Sequence, residues 1–255
     1  MLQNDISPLK IVVLVFCFIA LGLVSTAQTP GTGLRILDGV NYAQTDQGLR
    51  DALGSLSNNE GSGEIDIPSS VTLNNHTDIT ISVRIKCLGG PGHNVLNYIP
   101  STGTALNFML PAGSFIIEGC WLKTTTASSS TGIQLNACQE CAIRDTHVMG
   151  FTGGIRLTGN GVPPPNYGGP SPNNSINSVG VRIDDVLIDG FCGSSSYGLS
   201  IDHTVDMTLD HSHIYTTNDC ATAEGVIIDQ GAEGLWLSHF TMEQGLHAMV
   251  LQARG

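Results

Sequence analysis

The sequence predicts an all-β chain that folds as a right-handed parallel β-helix with one helix near its N-terminus. Two strand-like segments alternate along the chain, and copies of each recur 22 to 28 residues apart outside one insertion. Charged residues make up 13% of the chain and aromatic residues 5%, and 31 residues are glycine. Such a composition suits short strands joined by tight turns and does not suit a helical bundle.

The first repeated segment is a strand of glycine or alanine followed by aliphatic residues. Its copies read ALNF, GIQL, GIRL, GLSI, GVII and AMVL, and they begin at Ala105, Gly132, Gly154, Gly198, Gly225 and Ala248. Strands in successive coils of a β-helix pair at about 4.8 Å. Equivalent aliphatic side chains are therefore expected to stack in columns inside the solenoid.

The second repeated segment carries two aliphatic positions five residues apart. The first is occupied by Ile117, Ile143, Ile183, Leu209 and Leu237, and the second by Leu122, Val148, Ile188, Ile214 and Met242. It begins 11 or 12 residues after the first segment in four coils and 29 residues after it in one, where residues 158–180 are inserted. A solenoid accommodates such an insertion in a turn while its strands stay in register.

The first 27 residues are predicted to be a signal peptide. Lys10 precedes an apolar run from Ile11 to Leu23, and small residues follow up to Ala27. The run is shorter than the roughly 20 residues that span a bilayer, and an uncleaved anchor is the alternative. The protein is thus expected to be secreted, periplasmic or on the cell surface, with membrane contact only through this segment if it stays uncleaved.

Residues 28–44 are predicted to be an irregular lead-in, and residues 45–255 to form the β-helix. A helix is expected over about 46–57, because Leu49, Ala52, Leu53 and Leu56 fall on one face. Thr45 or Asp46 can cap its start. The last coil begins at Ala248, and no capping element follows it. We therefore expect further coils, a partner or self-association to cover this end.

Cysteines follow the predicted cleavage site at six positions: Cys87, Cys120, Cys138, Cys141, Cys192 and Cys220. An even number in an exported chain allows disulfides, but their pairing is not defined by spacing. Cys138 and Cys141 form a single CxxC, whereas a structural zinc site needs four ligands. The sequence therefore allows both disulfides and buried free thiols, and no metal site is predicted.

The order of these segments resembles that of the pectate-lyase-like superfamily. The order is a helix, GEIDIP at residues 63–68, short strands, GGPG at 89–92 and then the glycine-aliphatic coils. It is similar, more narrowly, to the rhamnogalacturonase/epimerase-like pectate lyase domains. The resemblance implies that the N-terminal helix covers one end of the solenoid. It implies no single activity, because this scaffold carries lyases, hydrolases, epimerases, tailspikes and adhesins.

The predicted catalytic site lies at the outward ends of the first segments. Asp202 and Asp229 hold matching positions in neighbouring coils, so their carboxyl groups are expected to be about 5–6 Å apart. Repulsion between two such carboxylates should raise the pKa of one above that of the other, so that one acts as an acid and the other as a base. That pair suits glycoside hydrolysis, or a Ca²⁺ site that assists β-elimination. Arg156 and His203 complete the predicted catalytic set.

Substrate binding is assigned to residues that share this face. Gln134 and Ser200 belong to the outward column that contains Arg156, and Tyr167 in the insertion is placed to stack on a sugar ring. The alternative is a solvated strand end with an ordinary Pro/Gly loop. A second outward column, two residues after the first aliphatic position, contains Gly119, Asp145, Asp185, His211 and His239. Stacked turn residues and an acid–base pair are both compatible with it.

The net charge of −12 argues against a nucleic-acid partner. It also argues mildly against unaided binding of a polyanion, an objection that a cation such as Ca²⁺ would remove. These features predict a carbohydrate-active protein that cleaves acidic, pectin-like polysaccharide by β-elimination or glycoside hydrolysis, with Ca²⁺ as cofactor in the first case. A non-catalytic surface or carbohydrate-binding β-helix is the alternative.

Overall fold

A computed structural model describes residues 33–109, 113–125, 129–159, 177–193, 195–216, 220, 222–229, 231–243 and 245–251. The predicted signal peptide, Tyr167 and most of the insertion lie outside these residues. Nearly every element within them is a short strand, and one α-helix precedes most of the strands. No helix among the described residues is both long and apolar enough to cross a membrane.

The helix, α1, runs over Asp46–Asn59, two residues beyond its predicted end. Thr45 caps it, as predicted, by accepting a hydrogen bond from the Gly48 amide at 3.2 Å. Its apolar face is buried against the first coils. A short strand, Leu34–Ile36, lies inside the segment predicted to be irregular, because its residues pair in parallel with Glu64–Asp66.

The strands form three parallel ladders. Ladder one contains β1 (Leu34–Ile36), β2 (Ser62–Ile67), β5 (Ser82–Cys87), β8 (Phe115–Glu118), the first half of β11 (Ala142–Met149) and of β14 (Arg182–Phe191), β17 (Thr208–Asp210) and β20 (Trp236–Leu237). Ladder two contains β3 (Val71–Leu73), β6 (Val95–Tyr98), β9 (Trp121–Thr124), the second half of β11 and of β14, β18 (His213–Thr216) and β21 (Thr241–Glu243). Ladder three contains β4 (Thr77–Ile79), β7 (Thr102–Phe108), β10 (Ser129–Asn136), β12 (Gly153–Thr158), β15 (Tyr197–Ile201), β19 (Glu224–Ile228) and β22 (His247–Leu251). A small separate pair joins β13 (Ser178–Val179) to β16 (Thr204–Val205).

This architecture confirms the predicted right-handed parallel β-helix, and the pairing confirms its predicted register. Ile143 pairs with Ile117 on one side and Ile183 on the other, and Val148 pairs with Leu122 and Ile188. The aliphatic columns are buried between the ladders, with members such as Ile143 and Ile188 fully excluded from solvent. Burial of apolar area at about 25 cal/mol per Å² makes these columns the main source of stability.

Glycine opens most copies of the first segment because ladder three lies very close to ladder two there. A Cβ atom on Gly154 would lie 2.4 Å from the Gly198 carbonyl oxygen and 2.4 Å from Cγ2 of Ile188. The same crowding recurs at Gly132, Gly198 and Gly225, where the side chains of Val148, Ile214 and Met242 come within 2.2–2.6 Å. The repeated glycine is therefore a packing requirement of the coil.

The column predicted two residues after the first aliphatic position is a stack of turns. All its members have a left-handed backbone, with φ values of 67° at Gly119, 43° at Asp145, 53° at Asp185, 45° at His211 and 44° at His239. Glycine, aspartate and histidine are among the residues that tolerate this conformation best. It bends each coil between ladders one and two. Burial, together with the carboxylates of Asp185 and Glu118, raises the pKa of Asp145.

The six cysteines include both disulfides and buried free thiols, the two states that the sequence allowed. Cys87 bonds to Cys120 and Cys192 bonds to Cys220, each pair joining neighbouring coils. Cys138 and Cys141 are buried free thiols. Burial raises the pKa of the Cys141 thiol, so it stays protonated.

Removing the Cys87–Cys120 disulfide should destabilise the fold. The bridge closes a loop of 33 residues, and chain-entropy arguments give about 3–4 kcal/mol for a loop of that size. We expect the Cys87→Ala/Cys120→Ala variant to lose about 3 kcal/mol of unfolding free energy in urea titrations. If the variant and the wild type unfold at the same urea concentration, the bridge contributes nothing to the free energy of unfolding.

Candidate functional site

The structure brings together part of the predicted site at the end of ladder three. Asp202 and Asp229 follow equivalent strand residues, and their amides donate to the carbonyls of Leu157 and Ile201 at 3.0 and 2.8 Å. They therefore hold the predicted matching positions in adjacent coils. Asp202 Oδ1 lies 2.5 Å from Nδ1 of His203, and both side chains are largely buried. The Asp202 carboxylate is thus already occupied by its neighbour in sequence.

The other predicted residues on this face have different environments. Arg156 pairs with Gln134 and Ser200 in one column, as predicted, and its side chain is exposed. The Gln134 amide instead donates to Asn136 Oδ1 at 2.8 Å. Asn136 in turn donates to Oδ1 of Asn107 at 2.9 Å. Gln134 therefore belongs to a chain of amides that links coils, and this bonding competes with its predicted role in substrate binding.

The donor set at this pair does not fit Ca²⁺. Calcium takes six to eight oxygen ligands. The described residues there offer the carboxylates of Asp202 and Asp229, and the first already contacts an imidazole. These two residues therefore do not form a Ca²⁺ site by themselves.

A second cluster, which the sequence analysis missed, lies on the outer face of ladder two. One outward column there contains Trp121, His147, Leu187, His213 and Thr241. The next contains Lys123, Met149, Asp189, Tyr215 and Glu243. The two columns flank the buried positions Leu122, Val148, Ile188, Ile214 and Met242 on either side. They bring ionisable and aromatic side chains from five neighbouring coils onto one surface.

Asp189 is the centre of this cluster. Only 6% of its side chain is exposed, although it projects from the outer face. Its Oδ2 atom accepts two hydrogen bonds, from Nε2 of His147 at 2.9 Å and from the Tyr215 hydroxyl at 2.7 Å. Its Oδ1 atom is buried and has no hydrogen-bond partner among the described residues. A buried carboxylate that leaves an acceptor unused is costly unless another group satisfies it.

The bond to Asp189 defines how His147 can react. A carboxylate only accepts, so Nε2 of His147 must carry the proton. In the neutral form of the ring, Nδ1 then holds the lone pair, and no described residue donates a hydrogen bond to it. The side chain is 16% exposed, so part of it reaches solvent. This is the arrangement of a general base whose tautomer is fixed by an acid partner.

Tyr215 supports the carboxylate rather than acting as a second base. Its hydrogen bond to Asp189, reinforced by burial, raises the pKa of the phenol. The hydroxyl therefore stays protonated at neutral pH and keeps donating to Oδ2.

Aromatic rings and a cation lie beside the pair formed by His147 and Asp189, here called the His147–Asp189 dyad. The Trp121 indole stacks on the His147 imidazole with the ring centroids 5.2 Å apart and the planes 3° from parallel. Nζ of Lys123 lies 5.1 Å from the centroid of the indole. On the other side, the rings of His213 and Tyr215 are 5.3 Å apart. The surface thus combines stacked rings with a positive charge and an imidazole.

No family model matches the sequence, and no curated protein matches it. Two solved structures are similar to it at 10% identity over 86% of the chain. One is the A-module of the mannuronan C-5 epimerase AlgE4 from Azotobacter vinelandii, with a TM-score of 0.34 over 98% of the module. The other is the Dettilon tailspike protein, with a TM-score of 0.21 over 68% of its chain. These scores are too low to support a shared chemistry, and the resemblance to the pectate-lyase-like superfamily stays a prediction.

Proposed function

We propose that this chain is an exported enzyme that binds acidic polysaccharide on the outer face of ladder two and acts on it by proton transfer through His147. The observation that carries the proposal is the His147 imidazole, held by the buried Asp189 carboxylate beside Trp121 and Lys123. The two disulfides support export, because such bonds persist in oxidising compartments.

The chemistry of this face matches a chain of uronic acids. Sugar rings present apolar faces and a rim of hydroxyl groups, and binding sites combine aromatic surfaces with a few polar groups for such ligands. Trp121 supplies the apolar surface, and the ammonium group of Lys123 supplies a partner for a sugar carboxylate. A solenoid surface repeats along its axis and therefore suits a long polymer.

The arrangement favours β-elimination. Nδ1 of His147 would take the proton from the sugar carbon next to the carboxylate, while Lys123 offsets the negative charge that develops on that group. The electron pair of the broken C–H bond forms a carbon–carbon double bond as the glycosidic C–O bond breaks. The departing oxygen takes a proton from water, and the imidazolium returns its proton to solvent.

Glycoside hydrolysis is the second candidate, and it would use the other face. It needs two carboxyl groups across the scissile bond, and Asp202 and Asp229 hold adjacent positions at the end of ladder three. The predicted roles of Arg156, His203, Ser200 and Tyr167, which were compatible with either reaction, belong to this other face.

The test is incubation of the purified protein with a panel of acidic and neutral polysaccharides, with and without Ca²⁺. We expect products with the ultraviolet absorbance of an unsaturated uronate, formed from acidic polymers alone. New reducing ends without that absorbance would support hydrolysis instead. Binding without any product would contradict an enzymatic function and favour a carbohydrate-binding β-helix.

A further inference from the structure

Two histidines and an aspartate meet on the outer surface, apart from the ladder-two cluster. His211 and His239 hold equivalent turn positions in adjacent coils, and their rings stack with the centroids 5.0 Å apart and the planes 9° from parallel. Asp210 precedes His211, and its carboxylate contacts Nδ1 of both rings. We propose that Asp210, His211 and His239 bind a divalent transition-metal ion such as Zn²⁺.

The spacing of the donor atoms fits one small ion. Nδ1 of His239 lies 3.0 Å from Oδ1 of Asp210, and Nδ1 of His211 lies 3.2 Å from Oδ2. Zinc bonds of 2.0–2.2 Å in a tetrahedral site place neighbouring ligand atoms about 3.3 Å apart. One donor atom from each of the three residues lies within 4.8 Å of the others. Small rotations of the side chains therefore suffice to close the site.

Supporting contacts hold the carboxylate in place. Oδ1 of Asp210 accepts from the Ser238 hydroxyl at 2.9 Å and from the His211 amide at 3.1 Å. Such outer contacts orient ligands and commonly strengthen metal binding. Asp184, one coil earlier, offers a fourth donor, because its Oδ1 lies 3.5 Å from Nδ1 of His211.

The donor set selects the class of metal. Imidazole nitrogen suits Zn²⁺, Cu²⁺ and Ni²⁺, whereas Ca²⁺ and Mg²⁺ prefer oxygen ligands in larger numbers. The imidazoles are 63% and 73% exposed, so an ion can enter from solvent and keep water on its remaining positions. A bound ion would join the strands β17 and β20 across two coils and would offset the charges of Asp184 and Asp210.

The left-handed backbone at both histidines determines which variants are informative. Asparagine tolerates positive φ, so His211→Asn and His239→Asn remove the imidazole without straining the turn. His247→Asn is the matched control. Its imidazole is 57% exposed and lies 3.2 Å from Glu224, but no second histidine among the described residues stands beside it.

The test is calorimetric titration of the chelator-treated full chain with ZnCl₂ at neutral pH. We expect saturable binding of one ion, weakened at least about tenfold in either single variant and lost in the double variant. Binding should be unchanged in His247→Asn and absent with CaCl₂. Zn²⁺ should also shift the imidazole resonances of His211 and His239 in NMR spectra of the wild type, a measurement that needs no variant. Equal Zn²⁺ affinity in the wild type and the double variant, or unshifted resonances, would overturn the proposal.

Discussion

Replacing His147 with glutamine should lower the rate of polysaccharide cleavage by about 10²- to 10⁴-fold, the range typical of a lost general base. Glutamine is close in size and can still donate a hydrogen bond to Asp189, but it cannot take up a proton. We expect the loss in kcat, because the binding surface of Trp121 and Lys123 stays intact. The measurement is steady-state kinetics on the polymer that gives the most product.

Three further variants separate the role of His147 from those of its neighbours. Asp189→Asn should also lower kcat, since an amide no longer fixes the Nε2–H tautomer of His147. Trp121→Ala should raise KM, because it removes apolar surface that the sugar contacts, and should also lower kcat, because the indole stacks on the His147 imidazole. His76→Gln changes an exposed histidine paired with Asp78 on another face and should have no effect. Full activity in His147→Gln, with loss in Asp202→Asn or Asp229→Asn, would move the catalytic site to ladder three.

Replacing Gly154 with valine should destabilise the fold by about 3 kcal/mol, near the upper end for overpacking a core. The new Cβ would meet backbone as well as the Ile188 side chain at 2.4 Å, and neither can move without displacing a neighbouring coil. For a domain of this size the loss corresponds to a fall in Tm of about 6–12 °C. Thermal unfolding followed by circular dichroism measures it.

The control is a glycine without such neighbours. A Cβ on Gly54, which lies inside helix α1, would meet no described atom within 4 Å beyond the adjoining backbone of the helix. Gly54→Ala should therefore stabilise the protein by about 0.5–1 kcal/mol, because alanine favours the helix. A Gly154→Val variant as stable as the wild type would show that the coils do not pack as closely as the register requires.

The sequence predicted the fold well because the fold is a repeat. Aligning the aliphatic positions of Ile143 and Val148 with their copies fixes which strands pair, since each strand lies directly over its equivalent. The turn stack at Asp185 and His211 followed from the same alignment. The pairing of the cysteines did not, because it depends on distances between coils that spacing along the chain does not define.

The ladder-two cluster was missed for a physical reason. Buried columns repeat the same residue type, whereas the outward columns beside Val148 change from coil to coil and give no periodic signal. His147 and Asp189 contact each other diagonally, between adjacent coils and two register positions apart. Comparing the residues on either side of the second aliphatic column in neighbouring coils would have placed Trp121, His147, Asp189 and Tyr215 together.

A crystal structure of the His147→Gln variant with an acidic oligosaccharide tests the location of the site most directly. The sugar should lie along ladder two, with one ring against Trp121, its carboxylate near Lys123 and the adjacent carbon facing residue 147. An oligosaccharide bound instead at the end of ladder three, beside Arg156 and Asp202, would contradict the assignment of the active site to the His147–Asp189 dyad.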